Sequence, residues 1–484
     1  MKIAVINPPF MNGRFSRTSR SPAIVKSGTM YWPFWLAYAV GTLEREKHQV
    51  LFLDCPAENI TRNQLLLKLE EAAPSLIVLD TSTPSIVSDL SLAEELAALL
   101  PDAPVFLVGT HVSALPEQVL IRSPFITGIA VGEYDNTLPE AASTLEIRGD
   151  LRNVPGLWLN TPEKPFFTGN RKPVTDLDSL PMLADVYRNH LKPENYFFAA
   201  ARYPSVMIIT SRGCPFNCSY CLWPQVLHRG TYRARSAASV AEEFLKVQEY
   251  FPQVQEVVFE DDTFSVDSKR VEDISDALIR AGSRLPWTAN TRANLSLPAM
   301  KKMKKAGCRL LIVGYESGNQ GILNGVGKGT TVDQNMSFAV RARQAGLMVH
   351  GCFMAGNPGE TLETLDETLR MAIRLKPDTA QFFPIMAYPG TRLYDQYKKA
   401  GYLKTENYED WLTADGLHNC VVNLPGLSAE ELVSWCDEAR RKFYLRPGYL
   451  AYKALQTVLH PATEGRRTMR AFKTFRKHLF GGKQ

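Results

Sequence analysis

No stretch of this 484-residue chain holds the roughly 18–20 consecutive apolar residues that a membrane span needs. Cysteine is scarce: eight in all, too few and too scattered for a disulfide framework. Cys55, Cys308, Cys352, Cys420 and Cys436 stand apart in mostly apolar surroundings, as buried free thiols do. The opening run from Met1 to Asn7 passes straight into a strand pattern and lacks the apolar core and cleavage site of a signal peptide. A reducing, cytoplasmic setting is expected. Excess charge is also missing. The net charge is +5, yet residues 465–484 carry seven Lys and Arg and no acid, which leaves the rest of the chain near −2. A body so nearly neutral is no nucleic-acid-binding surface. No G-x-G-x-x-G opens the first helix, so a pyridine nucleotide is a poor candidate ligand. What remains, 45% hydrophobic and 22% charged residues, is ordinary for a soluble globular protein, and the length suggests two to four domains.

Three cysteines do cluster. Cys214, Cys218 and Cys221 are spaced C-x3-C-x2-C, just past the apolar run Val206–Thr210, which reads as a buried strand. Gly213 and Pro215 suit a short loop wrapped around a bound group. A structural zinc site normally wants four ligands in paired spacing, and no second pair follows. A [4Fe–4S] cluster takes a ligand on each iron, so three thiolates leave one iron open to a small molecule.

The rest of the chain alternates strand and helix in two blocks. Residues 1–145 have the pattern of a doubly wound parallel sheet, in which ligands bind past the carboxyl ends of the strands. Those ends carry Asn7 and Pro8, Thr81 and Ser82, Gly109, Thr110, His111 and Ser113, and Gly132 with Glu133. Small, hydroxyl and glycine residues there suit close approach of a large ligand to backbone. His111 reads equally well as a satisfied histidine. Residues 146–204, punctuated by prolines, read as a linker, with Tyr196–Phe198 packing it or lining a substrate entry. Residues 205–395 supply six further strand–helix units, which fit a partial (β/α)6 barrel with its chemistry at the C-terminal strand ends. Residues 396–484 form a helical C-terminal region. Ser428 with Glu431 reads as a capping box that opens a helix. The Gly-rich run Asn324–Gly329 reads as a flexible loop.

The cysteine spacing, with Tyr220 just before the third thiol, resembles the signature of radical S-adenosylmethionine (SAM) enzymes. In that family the open iron binds the amino and carboxylate groups of SAM, and one electron cleaves SAM to a 5′-deoxyadenosyl radical. The later strand ends match the family in order. The resemblance implies that Glu260, Asp261 and Asp262 meet the SAM ammonium, Arg292 with Asn294 nearby the carboxylate, Glu316 and Ser317 the ribose, and Gly356 and Pro358 the adenine, with Tyr220 close by. The first block, placed ahead of such a core, resembles the cobalamin-binding domain of cobalamin-dependent radical SAM proteins. The residues at its strand ends, Asn7, Pro8, Thr81, Ser82, Gly109, Thr110, His111, Ser113, Gly132 and Glu133, would then contact cobalamin. Many cobalamin proteins ligate cobalt through D-x-H-x-x-G. The corresponding Asp54–Asn59 lacks both the histidine and the glycine, so a lower ligand from that motif is not expected.

The resemblance implies an enzyme with three cofactors: a [4Fe–4S] cluster, SAM and cobalamin. It would abstract hydrogen from an unactivated carbon of a small-molecule or lipid-linked substrate and methylate it through methylcobalamin, with electrons from a flavodoxin or ferredoxin. Residues 218–236 are similar to members from hopanoid and tetrapyrrole pathways, so ring formation or contraction is the alternative. A non-catalytic iron–sulfur or cobalamin carrier would not need Glu260, Arg292 and Glu316. The basic, amphipathic stretch Thr468–Phe480 is expected to allow peripheral contact with an anionic membrane.

Overall fold

The computed structural model describes residues 1–11 and 14–459, with positions 461, 465, 468 and 469 beyond them. The stretch Thr468–Phe480 thus lies outside the described residues except at its first two positions. Among the described residues no helix is long and apolar enough to cross a membrane.

The first sheet contains β1 (Lys2–Asn7), β2 (Gln49–Asp54), β3 (Leu76–Thr81), β4 (Val105–Gly109), β5 (Gly128–Ala130), β6 (Leu157–Leu159) and β7 (Phe166–Phe167). Its order is β2-β1-β3-β4-β5-β6-β7. The first five strands are parallel, and β6 and β7 add on antiparallel. Helices α1 (Phe34–Arg45), α2 (Arg62–Ala72), α3 (Ile86–Leu99), α4 (Pro116–Arg122) and α5 (Thr137–Glu146) connect and flank it. Both faces are buried, so the strands read as unbroken apolar runs. On β1, Ile3 and Val5 join the core that faces the rest of the molecule, and Ala4 and Ile6 join a second core on the opposite face. Two of these strands come from the stretch read as linker. At three and two residues, β6 and β7 are too short to show period-2 alternation.

Helix α6 (Leu183–His190) packs between α1 and α7 (Ala237–Tyr250), which belongs to the second block. That block holds β8 (Ser205–Ile208), β9 (Glu256–Phe259), β10 (Trp287–Thr291), β11 (Cys308–Glu316), β12 (Met348–Ala355) and β13 (Thr379–Pro384). All six are parallel, in the order β13-β12-β11-β10-β9-β8. Between them run α8 (Ser268–Arg280), α9 (Leu297–Lys305), α10 (Val332–Gln344) and α11 (Leu362–Leu375). This is an open (β/α)6 barrel with β8 and β13 at its edges. Helix α12 (Arg392–Ala400) follows, then α13 (Ala429–Tyr444) and α14 (Pro447–Leu459). Ser428 and Glu431 form the expected capping box at the start of α13. One apolar core runs through both blocks. Trp32, stacked on Tyr196 at 4.1 Å, ties them by donating its indole N–H to the Ser205 carbonyl at 3.0 Å.

Candidate active site

The cysteine loop leaves the C-terminal end of β8. Asp261 fixes its start by accepting from the Thr210 N–H at 2.6 Å, the Thr210 hydroxyl at 2.5 Å and the Ser211 hydroxyl at 2.7 Å. Asp262 then accepts the Gly213 N–H at 2.8 Å. Gly213 sits at φ +79°, and a Cβ there would lie 2.0 Å from the Thr231 carbonyl oxygen, so no other residue fits. Cys214, Cys218 and Cys221 follow and line one end of a cavity of about 910 Å³. Burial, then the nearby Cys218, Asp262 and Cys214, push the Cys221 thiol well above its ordinary range. A bound cation would reverse that repulsion. A single zinc ion would draw its sulfurs to about 4 Å from one another. Among the described residues no three His, Cys, Asp or Glu side chains are grouped to hold one metal ion. Three thiols and, among the described residues, no fourth ligand at one end of a cavity of this size leave one position open, as a [4Fe–4S] cluster that binds a small molecule needs, so the donor set fits a cluster.

Of the residues expected to meet SAM, Tyr220, Glu260, Asp262, Arg292 and Glu316 line the same cavity. The Arg292 guanidinium lies 3.8 Å from the Phe216 ring centroid and 3.7 Å from the Cys218 sulfur, and it donates to the Lys328 carbonyl. Glu316 follows a shift in register after Gly314 and sits at φ +64°. Such a bulge re-aims a side chain, and the left-handed backbone costs about 1–3 kcal/mol. Its carboxylate accepts from Lys328 Nζ at 2.8 Å, and that ammonium lies 3.5 Å from the Tyr220 hydroxyl.

The other five do not reach the cavity. Asp261 holds the loop. The Asn294 amide is tied to Ser265, with Nδ2 donating to the Ser265 carbonyl at 2.8 Å. Ser317 is fully buried against Thr368 at 3.1 Å. The Gly356 N–H donates to Glu360 at 2.6 Å, and Pro358 sits on the turn beyond. Neighbours at a strand end point to opposite sides, so Glu260 and Asp262 face in while Asp261 faces out.

Two functional-looking residues escaped sequence reasoning. Lys328 lies in the supposed flexible loop, yet it is buried and lines the cavity. The loop is packed onto the cysteine loop: Ser219 N–H donates to the Val326 carbonyl at 2.9 Å, and a Cβ on Gly327 would fall 2.7 Å from the Asn217 oxygen. A lysine held between two glycines was the available signal. Arg20 comes from the loop ahead of α1. It pairs with Glu260, donates to the Asp261 carbonyl at 2.6 Å and lies over Trp223 at 4.3 Å. No sequence pattern marks it.

The strand ends of the first sheet gather at one edge, and none of them lines the large cavity. The buried Asn7 side chain donates to Asp54 at 2.8 Å and accepts from Arg17 at 2.9 Å, and Arg17 also donates to the Pro8 carbonyl at 2.5 Å. Thr81 donates to the Val108 carbonyl at 2.7 Å, and Ser82 meets Ser85 at 2.8 Å. Gly109 is at φ +109° because a Cβ would fall 2.2 Å from the Thr81 oxygen. His111 contacts Thr83 at 3.2 Å and lies edge-on to Tyr408, and burial lowers its pKa to about 3, so it is neutral. Ser113 accepts the Gly132 N–H at 3.0 Å. The Thr110 hydroxyl is buried with no partner, as a residue waiting on a ligand would be. Burial would raise the Glu133 carboxyl, but Arg233, His228 and Arg212 hold it well below the usual range. Arg17 and Arg20 are three residues apart. One sits on the first sheet and the other on the barrel, so the two sets of strand ends face each other across this segment.

The Radical SAM superfamily model matches residues 208–372, and the B12 binding domain model matches residues 20–142. An uncharacterized methyltransferase of Pyrococcus horikoshii is 31% identical over 93% of this chain and 94% of its own. The anaerobic magnesium-protoporphyrin IX monomethyl ester cyclase of Cereibacter sphaeroides is 25% identical over 93% of this chain and 72% of its own. Among solved structures, the cobalamin-dependent S-adenosylmethionine radical enzyme OxsB, with aqua-cobalamin and S-adenosylmethionine bound, superposes with a TM-score of 0.71 at 14% identity, over 99% of this chain and 71% of that one. Two matched domains and a relative aligned along nearly its whole length place the chain in the radical SAM superfamily, among the proteins that join that domain to a B12-binding domain.

Proposed function

We propose that the protein is a cobalamin-dependent radical SAM methyltransferase acting on an unactivated carbon of a small-molecule or lipid-linked substrate. The observation that carries this reading is one cavity whose end brings together the three thiols, Glu260, Arg292, Glu316 and Tyr220. When bound, the cluster supplies one electron to the sulfonium of SAM, and cobalamin supplies a methyl group.

The chain's own residues have definable tasks. Cys214, Cys218 and Cys221 hold the cluster. The Arg292 fork suits the SAM carboxylate. Glu260 suits its ammonium, with Arg20 giving up that carboxylate on binding. Glu316, Tyr220 and Lys328 suit the ribose and adenine end. The apolar cavity walls keep water from the reacting carbon. Cobalamin is assigned to the strand ends of the first sheet, where the orphaned Thr110 hydroxyl and the close-packed Gly109 suit a ligand laid against backbone. A low-potential flavodoxin or ferredoxin is the natural electron donor.

Ring formation is the second reading, favoured by likeness to the cyclase along 93% of the chain. Anaerobic reconstitution with iron, sulfide and hydroxocobalamin, followed by SAM and dithionite, tests both. Formation of 5′-deoxyadenosine together with S-adenosylhomocysteine is the expected result. 5′-Deoxyadenosine alone, from a cobalamin-loaded protein, favours ring chemistry. Zinc held by the three cysteines, with no cluster, overturns both.

A further inference from the structure

The cavity runs the length of the barrel. Cys214, Glu260, Arg292 and Glu316 stand at the C-terminal strand ends. Arg202, Gln255 and Thr379, which also line the cavity, stand at the N-terminal ends of β8, β9 and β13. Between them the wall on β12 follows strand alternation, with His350, Cys352 and Met354, and on β13 the whole strand Thr379–Pro384 lines it. At about 3.3 Å per residue, these strands separate the two ends by roughly 15 Å. Phe197 and Phe198 also line it, and Tyr444 and Tyr449 lie at the lower end, donating to the Ala380 and Asp378 carbonyls.

Several charges in this tunnel are paired away from the thiols, and Lys453 lies over the Tyr449 and Tyr452 rings. Arg20 pairs with Glu260, Lys328 with Glu316, and Lys26 and Arg440 with Asp437. Arg202 has no carboxylate partner among the described residues. Its backbone N–H reaches Glu256 at 2.8 Å, but that carboxylate is taken by Arg309 Nε at 2.9 and 3.1 Å and by the Thr288 hydroxyl. The Arg202 Nε is buried with nothing to donate to. A half-buried guanidinium left so, in a mostly apolar tunnel, is costly unless a ligand pairs with it.

We propose that the substrate is an extended, mostly apolar molecule bearing a carboxylate, with the carboxylate on the Arg202 fork and the reacting carbon roughly 15 Å away at the thiol end. The orientation rests on the function proposed above. The carboxylate site does not, and its test needs no turnover.

The probes are cis-parinaric acid and its methyl ester, titrated by fluorescence against the anaerobically reconstituted full-length protein. The acid should bind about 10-fold or more tightly than the ester. Arg202→Gln should bring the two within about 2-fold, and Arg202→Lys should keep part of the preference. Gln381→Trp, which fills the tunnel midway, should weaken both probes. Thermal transitions of the variants matching that of the wild type exclude misfolding. Equal affinity of the wild type for acid and ester, a preference that survives Arg202→Gln, or binding unaffected by Gln381→Trp each overturns the proposal. Because 5′-deoxyadenosine formation is measured separately, a wild type that cleaves SAM but shows no carboxylate preference condemns this inference alone.

Discussion

Glu360 shows how one buried carboxyl sets a pH dependence. Its Oε2 accepts the N–H groups of Gly356 at 2.6 Å and Asn357 at 2.8 Å, while its Oε1 is buried without a partner. Burial raises its pKa from 4.5 to about 7, against the pull of those backbone donors. Between these two values the unfolded chain has released the proton and the folded chain keeps it. The stabilisation is therefore complete below pH 4.5 and is lost as pH rises through 7, by about 3 kcal/mol at most. Glu360→Gln keeps an acceptor for the two N–H groups and does not ionise. Denaturant unfolding at pH 5 and pH 8 should show a clear fall for the wild type and a flatter response for the variant. Equal slopes would remove Glu360 as the source. Residues that line the cavity were legible where a sequence pattern encodes chemistry: the cysteine spacing, and Glu260, Arg292 and Glu316 at successive strand ends. Which of two neighbours faces inward depends on where the strand stops, so Asp261 and Ser317 could not be separated from Glu260 and Glu316 beforehand. Lys328 and Arg202 owe their settings to contacts with distant segments, which no local pattern records.

Helix α13 illustrates the scale of elements. Val433, Cys436, Asp437, Arg440 and Tyr444 on it line the tunnel, so its start fixes much of one wall. That start rests on a reciprocal cap: the Ser428 hydroxyl accepts the Glu431 N–H at 3.2 Å, and Glu431 accepts the Ser428 N–H at 2.8 Å. Ser428→Ala removes half of this and should cost about 1 kcal/mol. A melting temperature unchanged within error would show that packing alone holds the helix. Elements with such local signals were readable in the chain. The capping box and the alternating parallel strands are of this kind, because each is encoded within a few neighbouring residues. The strands β6 and β7 were not, since Leu157–Leu159 and Phe166–Phe167 are made strands by the sheet edge they meet.

At the scale of the whole molecule, the two blocks are locked at one charged point beside the cysteine loop. Arg212, 1% exposed, donates to both Asp135 oxygens, at 2.6 and 2.9 Å, and its guanidinium lies over Tyr38 at 4.4 Å. Asp135 belongs to the first block, and Arg212 is two residues ahead of Cys214. Removing Arg212 leaves Asp135 buried without its partner, which typically costs about 3–5 kcal/mol, whereas removing Asp135 still leaves Arg212 with Glu133 at 3.4 Å and should cost less. Replacing both by apolar residues of similar size removes the desolvation penalty along with the attraction, so it should cost far less than the two single changes together. The expected order from denaturant unfolding is therefore wild type close to the double variant Arg212→Met with Asp135→Leu, both above Asp135→Leu alone, and Arg212→Met alone lowest. One apolar core spans both blocks, so all four proteins should unfold in a single transition. The singles should also retain less iron after anaerobic reconstitution, because the strand that delivers Cys214 is no longer held. Additive losses in the double variant would mean that the pair does not join the blocks. The first sheet would then be held to the barrel by apolar contact and by Glu133 with Arg233 and His228, and the position of the cysteine loop would not depend on the Arg212–Asp135 pair.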